Sequence, residues 1–217
     1  MKGLLIKDLR LMKVQKNFFI IFIVIAVGMA AFSYDISFML GFLSFVLSLF
    51  TLSTISYDEF DNGNAFLFTL PISRTSYTAE KYCLALLLGG GSCIFASILA
   101  VIFGIFNKTA DFSEIAMTAL AILPVLIVIQ SVMIPFQLKF GGEKGRIALI
   151  GVLGLLFVVG IAFVKIAEML GIDIIKVIEN LPTVSMGVMA AIIFFAVVII
   201  LFISVKISIS IMKGKEF

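Results

Sequence analysis

Apolar and polar positions along the chain fall into long blocks rather than alternating. Six apolar stretches, at about 18–32, 36–56, 82–106, 115–138, 147–164 and 187–205, carry no charge at their centres and are bounded by charged or turn-forming residues. A bilayer core about 30 Å thick takes roughly 20 apolar residues as helix. Lipid also leaves helix as the simplest way to satisfy the backbone. The pattern therefore predicts an all-α membrane protein of six transmembrane helices, a single transmembrane domain over 1–217. Only the first stretch is short, and Asn17 and Ser33 or local bilayer thinning extend it.

Three polar segments break the pattern. In Met1–Lys16, Leu5, Leu9 and Met12 recur at helical spacing while Lys2, Arg10 and Lys13 fall largely on the other side, which predicts an interfacial helix over 1–16. Its basic region is too long and too patterned for a cleaved signal peptide. The connection over 57–81 is far longer than a membrane hairpin needs. It opens with Asp58, Glu59 and Asp61, turns at Asn62-Gly63-Asn64, carries the apolar run Ala65–Leu70 and stops at Pro71. That spells a short amphipathic helix, after which Ser73 N-caps a stretch leading into the third span. Phe66, Leu67, Phe68 and Leu70 require cover, from the protein's own span ends, from lipid or from a groove in a soluble partner. Over 165–183, Ile174, Ile175, Ile178 and Leu181 recur at helical spacing before Pro182, an amphipathic segment too polar to span.

Charge orients this topology. With six spans both termini share a side, which holds thirteen of the sixteen Lys and Arg residues; only Lys108, Lys165 and Lys176 face the other way. The termini are thereby placed in the cytoplasm. Composition narrows the chemistry: 62% of residues are hydrophobic, 13% are charged, and mean hydropathy is +1.26. With no His, imidazole bases and His-ligated zinc are excluded. Cys83 and Cys93, ten residues apart in one apolar run, are packing residues that a helix would hold about 15 Å apart. The chain is not read as an enzyme, and no metal site is expected. A net charge of +3 is small for a nucleic-acid binder, and none is expected as partner. Gly141-Gly142-Glu143-Lys144-Gly145-Arg146 lacks the spacing and the Ser/Thr of a phosphate loop and reads as a short cytoplasmic turn.

In the fourth span, Pro124 and Pro135 flank Gln130 and Ser131. Prolines free backbone carbonyls, which together with a mid-span amide need partners from neighbouring helices or a water-filled cavity. Gln130 is thus a candidate for a path or dimer interface, with an interhelical hydrogen bond inside one subunit as the simpler alternative. Gly89, Gly90 and Gly91, with Gly151 and Gly154, are read as close helix contacts.

The opening MKGLLIKDLR, the six spans and the loop YDEFDNGNAFLFTLPISRTSYTAEKY together resemble the membrane subunit of a type 2 ATP-binding cassette transporter, in particular the small permeases of phenol-soluble modulin and antimicrobial-peptide exporters. The resemblance implies that 62–70 is a coupling helix inserted into a separate ATPase subunit and that 1–16 is a connecting helix beside it. Asn62, Asn64, Phe66, Leu67, Phe68, Leu70 and Arg74 would contact that ATPase, and Asp58, Glu59 and Asp61 would form salt bridges with it or with the connecting helix. It implies further a plasma-membrane exporter of amphipathic or hydrophobic substrates, with a second permease copy or paralogue and two ATPase subunits holding the ATP and magnesium. The extracellular segment 165–183 would cap or gate the outer exit. The rival from another class is a non-transporting membrane interaction or immunity protein.

Overall fold

The computed structural model describes residues 2–32, 35–60, 63–107, 111–142 and 186–215, together with isolated positions between 144 and 165. Among these residues the elements are α1 (Lys2–Val14), α2 (Lys16–Ala31), α3 (Ile36–Ser48), α4 (Phe50–Glu59), α5 (Gly63–Leu67), α6 (Arg74–Asn107), α7 (Phe112–Phe140) and α8 (Met186–Gly214), with no strand. Four helical stretches are long and apolar enough to cross a bilayer: Ile36–Glu59, Arg74–Gly104, Phe112–Phe140 and Gly187–Gly214. The pair α1–α2, bent by 62°, makes a fifth if it crosses as one. Of the six spans expected, the fifth at 147–164 lies outside the described residues apart from isolated positions, as does the amphipathic segment 165–183.

The helices overrun their apolar stretches, because backbone hydrogen bonding continues past the edge of the hydrocarbon wherever good helix formers follow. α6 begins at Arg74 instead of Tyr82, and its 34 residues reach about 51 Å against a core of about 30 Å. α4 likewise runs to Glu59, so the connection expected over 57–81 shrinks to 60–73. The second span is not continuous. At Leu49 the Leu52 N–H turns to the Leu49 carbonyl at 3.0 Å, a tightened turn that separates α3 from α4. Asp35 starts α3 by accepting from Ser37 N at 2.8 Å.

Two apolar clusters hold the bundle. One joins α2, α3 and α6 through Ala26, Ala30, Met39, Leu40, Leu43, Ala96 and Ala100, all at most 1% exposed, and reaches α7 at Ile115. Alanines at helix crossings let backbones approach closely, which replaces the hydrophobic drive that lipid removes. Ser92 adds a hydrogen bond to the Ser44 carbonyl at 3.0 Å. The second cluster lies toward the end of the bundle that carries α5 and gathers Leu4, Leu52, Ile55, Tyr77, Tyr82, Ile134, Leu138 and Met212, with Leu67, Phe68 and Ile72 packed against it.

The glycines correct one expectation. A Cβ built at Gly89, Gly90, Gly91, Gly151 or Gly154 meets no described atom within 4 Å, so among the described residues these are not close helix contacts. Glycine permits approach without enforcing it, and here the alanines make the contacts. Gly90→Ala is therefore expected to leave the melting temperature in detergent unchanged or to raise stability by about 0.5–1 kcal/mol, whereas Ala96→Leu, overpacking α6 against α3, should lower it by about 1–3 kcal/mol.

Candidate functional site

Local sequence builds the end of the bundle that carries α5. α4 stops at Glu59 because Phe60 turns extended, with φ −63° and ψ 137°. The chain then folds back so tightly that a Cβ on Gly63 would stand 2.8 Å from the Asp58 carbonyl oxygen. α5 follows, five residues long, closed by Phe68 N donating to Asn64 O at 3.1 Å and by Thr69 Oγ1 donating to Phe66 O at 2.7 Å. After Pro71, Ser73 caps α6 as its position predicts, its Oγ accepting from Ser76 N at 3.1 Å.

The apolar run divides by helix face. Leu67 and Phe68 are half-buried against the second cluster, with the Phe68 ring edge-on to Tyr77 at 5.7 Å. Phe66, 71% exposed, and Leu70, 44%, point away, with Phe60 exposed beside them. Asn64 is buried, and its Oδ1 has no hydrogen-bond partner. Asp61 and Asn62 lie outside the described residues.

Behind α5 lies a buried charge cluster. Lys81 of α6 has no exposed surface. Its Nζ lies 2.5 Å from Asp8 Oδ2 of α1 and 2.8 Å from Asp58 Oδ2 of α4, and it donates to Thr54 Oγ1 at 3.1 Å. Lys7 of α1 pairs with Asp58 Oδ1 and stands 3.1 Å from Asp8 Oδ1. The Tyr77 hydroxyl donates to Asp58 Oδ2 at 3.1 Å. Asp58 thus contacts both lysines, and α1, α4 and α6 meet at one point. Glu80, also buried, lies 3.8 Å from Lys81 and beside Asp8.

A second set of contacts ties in the ends of α7 and α8. Glu59 pairs with Lys215 at 2.9 Å, and Lys215 also donates to the Leu138 carbonyl at 3.0 Å. Arg74 Nη1 donates to the carbonyls of Met212 at 2.9 Å, Lys213 at 3.0 Å and Lys215, closing the C-terminus of α8, while its guanidinium sits 5.8 Å from the Phe68 ring. Cations suit a helix C-terminus, where carbonyls lack amide partners. Gly141 ends α7 at φ +82°, where a side chain would be strained, and packs on Glu59.

The candidates of the fourth expected span fall on α7 and fulfil the backbone accounting. The turn at Leu49 leaves the Ser48 carbonyl without its usual donor, and Gln130 Nε2 supplies one at 2.6 Å. Pro135 has no N–H for the Ser131 carbonyl four residues earlier. The Ser204 hydroxyl of α8 donates to it. Ser204 also contacts the Tyr82 hydroxyl, which lies 2.8 Å from Ser208 Oγ, so a chain of hydroxyls joins α6, α7 and α8. Pro124 leaves the Leu120 carbonyl in the same position on an exposed face. Gln137 adds a further link from α7 to α4 by donating to Ser56 Oγ at 2.6 Å. Gln130 Oε1 keeps no partner and borders a cavity of about 200 Å³ with Tyr82, Gly89 and Gly90.

Sequence reasoning singled out Asp58, Glu59 and the apolar run; Asp58 does pair with the N-terminal helix, Glu59 pairs instead with Lys215, and Lys7, Asp8, Lys81 and Lys215 were missed. Asp8 carried a signal: it is four residues from Leu4, and both are the buried residues of α1. Among the described residues no group of three or more acidic or thiol side chains could hold a metal ion. Removing one partner of a buried pair strands the other, at about 3–5 kcal/mol. Lys81→Met should lower stability by that amount in thermal or denaturant unfolding, and Asp8→Leu on top should cost clearly less than in the wild-type background. Additive losses would contradict the pairing.

Residues 3–213 match the family described as ABC-2 family transporter protein. No curated protein and no solved structure matches the chain. The family is the membrane component of ABC transporters and not itself catalytic, and it implies an ATPase partner. The match runs across the bundle, the charge cluster and α5 alike, and the chain therefore belongs to the ABC-2 family of transporter membrane proteins, as a multi-pass permease.

Proposed function

We propose that this permease is one half of an ABC exporter in the plasma membrane. It pairs with a second copy or a paralogue to enclose the path, and each half binds one ATPase subunit, where ATP and magnesium are held. The segment Asn62–Leu70, in which Gly63–Leu67 form α5, acts as the coupling element. One observation carries this reading: α5 and the turn after it are anchored by Leu67 and Phe68 against the bundle and leave Phe66 and Leu70 exposed. Two exposed apolar side chains on a short segment packed onto the bundle suit a groove in a soluble partner.

The charge cluster supports the mechanical part. Force applied to α5 reaches α4 through the turn at Gly63, and α1 and α6 through Asp58, because buried pairs resist separation far better than exposed ones. Asp58 and Glu59 then act by holding the base of the coupling segment, as Arg74 of α6 does by bonding the last carbonyls of α8. Gln130 and the cavity beside it, with Ser131, Pro124 and Pro135 in the same helix, line the path or the interface between the two halves. The substrate is amphipathic or hydrophobic, antimicrobial peptides among them, which an apolar path without mid-span charge suits.

Phe66→Asp with Leu70→Asp tests the reading directly. The double variant should insert and melt like the wild type, because both side chains are exposed, yet fail to retain the ATPase on purification and lose ATP-dependent transport in proteoliposomes. Wild-type transport with a retained ATPase would refute the assignment. Activity that never depends on ATP would point to the non-transporting alternative.

A further inference from the structure

We infer that the elbow between α1 and α2 is a binding site for one anionic phospholipid per chain. The 62° bend opens a groove of about 630 Å³. Its lining brings together two chemistries: the exposed apolar side chains Ile6, Leu9 and Ile20, and the cations Arg10, Lys13 and Lys16. Among the described residues no carboxylate lies in ion-pair range of those three cations, whereas Lys7 on the same helix is paired with Asp58. Asp8, the acidic residue of α1, is turned inward to Lys81 and cannot neutralise them.

The groove is held in shape. Gln15, at the bend, donates from Nε2 to the Tyr57 hydroxyl, and Lys7 fixes the preceding turn to α4. A preformed site of this kind spends little of its affinity on ordering itself. Three cations beside an apolar wall match a ligand with a phosphodiester at one end and an acyl chain at the other. A zwitterionic lipid carries an ammonium that these cations repel, and inorganic or glycerol phosphate has nothing to fill the groove. The inference rests on the elbow alone and stands whether or not α5 couples to an ATPase.

Native mass spectrometry of the purified full-length chain, titrated with phosphatidylglycerol and phosphatidylcholine of equal chain length, tests it. One phosphatidylglycerol should be retained per chain, with about tenfold preference over phosphatidylcholine. Arg10→Gln/Lys13→Gln/Lys16→Gln should abolish the preference, while Lys139→Gln/Lys206→Gln/Lys213→Gln, the same charge change at exposed positions elsewhere, should preserve it. Ile20→Trp, which fills the groove with every cation retained, should also lose the lipid and serves if the triple variant does not fold. Four results would overturn the inference: equal retention of both lipids, equal loss in both triple variants, displacement by soluble glycerol phosphate at the lipid's own concentration, or a changed oligomeric state with lipid retention unaltered, which would make the groove a protein interface.

Discussion

An ammonium group with no exposed surface must be surrounded by acceptors, and Lys81 finds its acceptors on two other helices. Asp8 comes from α1, Asp58 and Thr54 from α4, and Lys7 completes the neutralisation of Asp58. Desolvating a charge costs several kcal/mol unless its partners are fixed in good geometry. The cluster therefore dictates where α1 lies against the bundle, and through Asp58 and Gly63 where α5 begins. The exposure of Phe66 and Leu70 follows from that position, since the face bearing Leu67 and Phe68 is already taken by the core.

Farther along the bundle the same economy governs neutral groups. Each departure from regular helix frees a carbonyl, and each freed carbonyl that is buried meets a side chain of a neighbouring helix: Ser48 meets Gln130, and Ser131 meets Ser204. In lipid such pairs are a principal means of specifying which helices touch and in what register, because apolar packing alone distinguishes neighbours poorly. The proline that interrupts α7 and the serine that repairs it belong to one arrangement, and the Tyr82 hydroxyl extends it to α6.

The helical architecture was readable because lipid imposes a simple rule on composition, and each apolar block that falls on described residues is a helix. The short helix after the second span was readable from Asn62-Gly63-Asn64 and Pro71, and its N-capped successor from Ser73. Less legible was everything that depended on pairing across the fold. Lys81 looked like one more basic residue flanking a span, and its burial between α1 and α4 leaves no trace in spacing. The break at Leu49 has no Gly or Pro to announce it. Glycines misled in the opposite sense: Gly89, Gly90 and Gly91 suggested contact, while the contacts lie at alanines. Arg74 illustrates the difficulty for sites, since a cation after an exposed apolar run reads as a partner contact, and the structure sets it at the C-terminus of α8.

The central claim is that the Lys81 cluster holds α1 and the base of α5 in place. Hydrogen–deuterium exchange on the full-length chain in nanodiscs, comparing wild type with Asp58→Asn, measures that most directly. The account predicts faster exchange confined to 2–14 and 63–70, with α7 and α8 unchanged. Protection in those two segments identical to wild type, or a uniform loss across all helices, would contradict it.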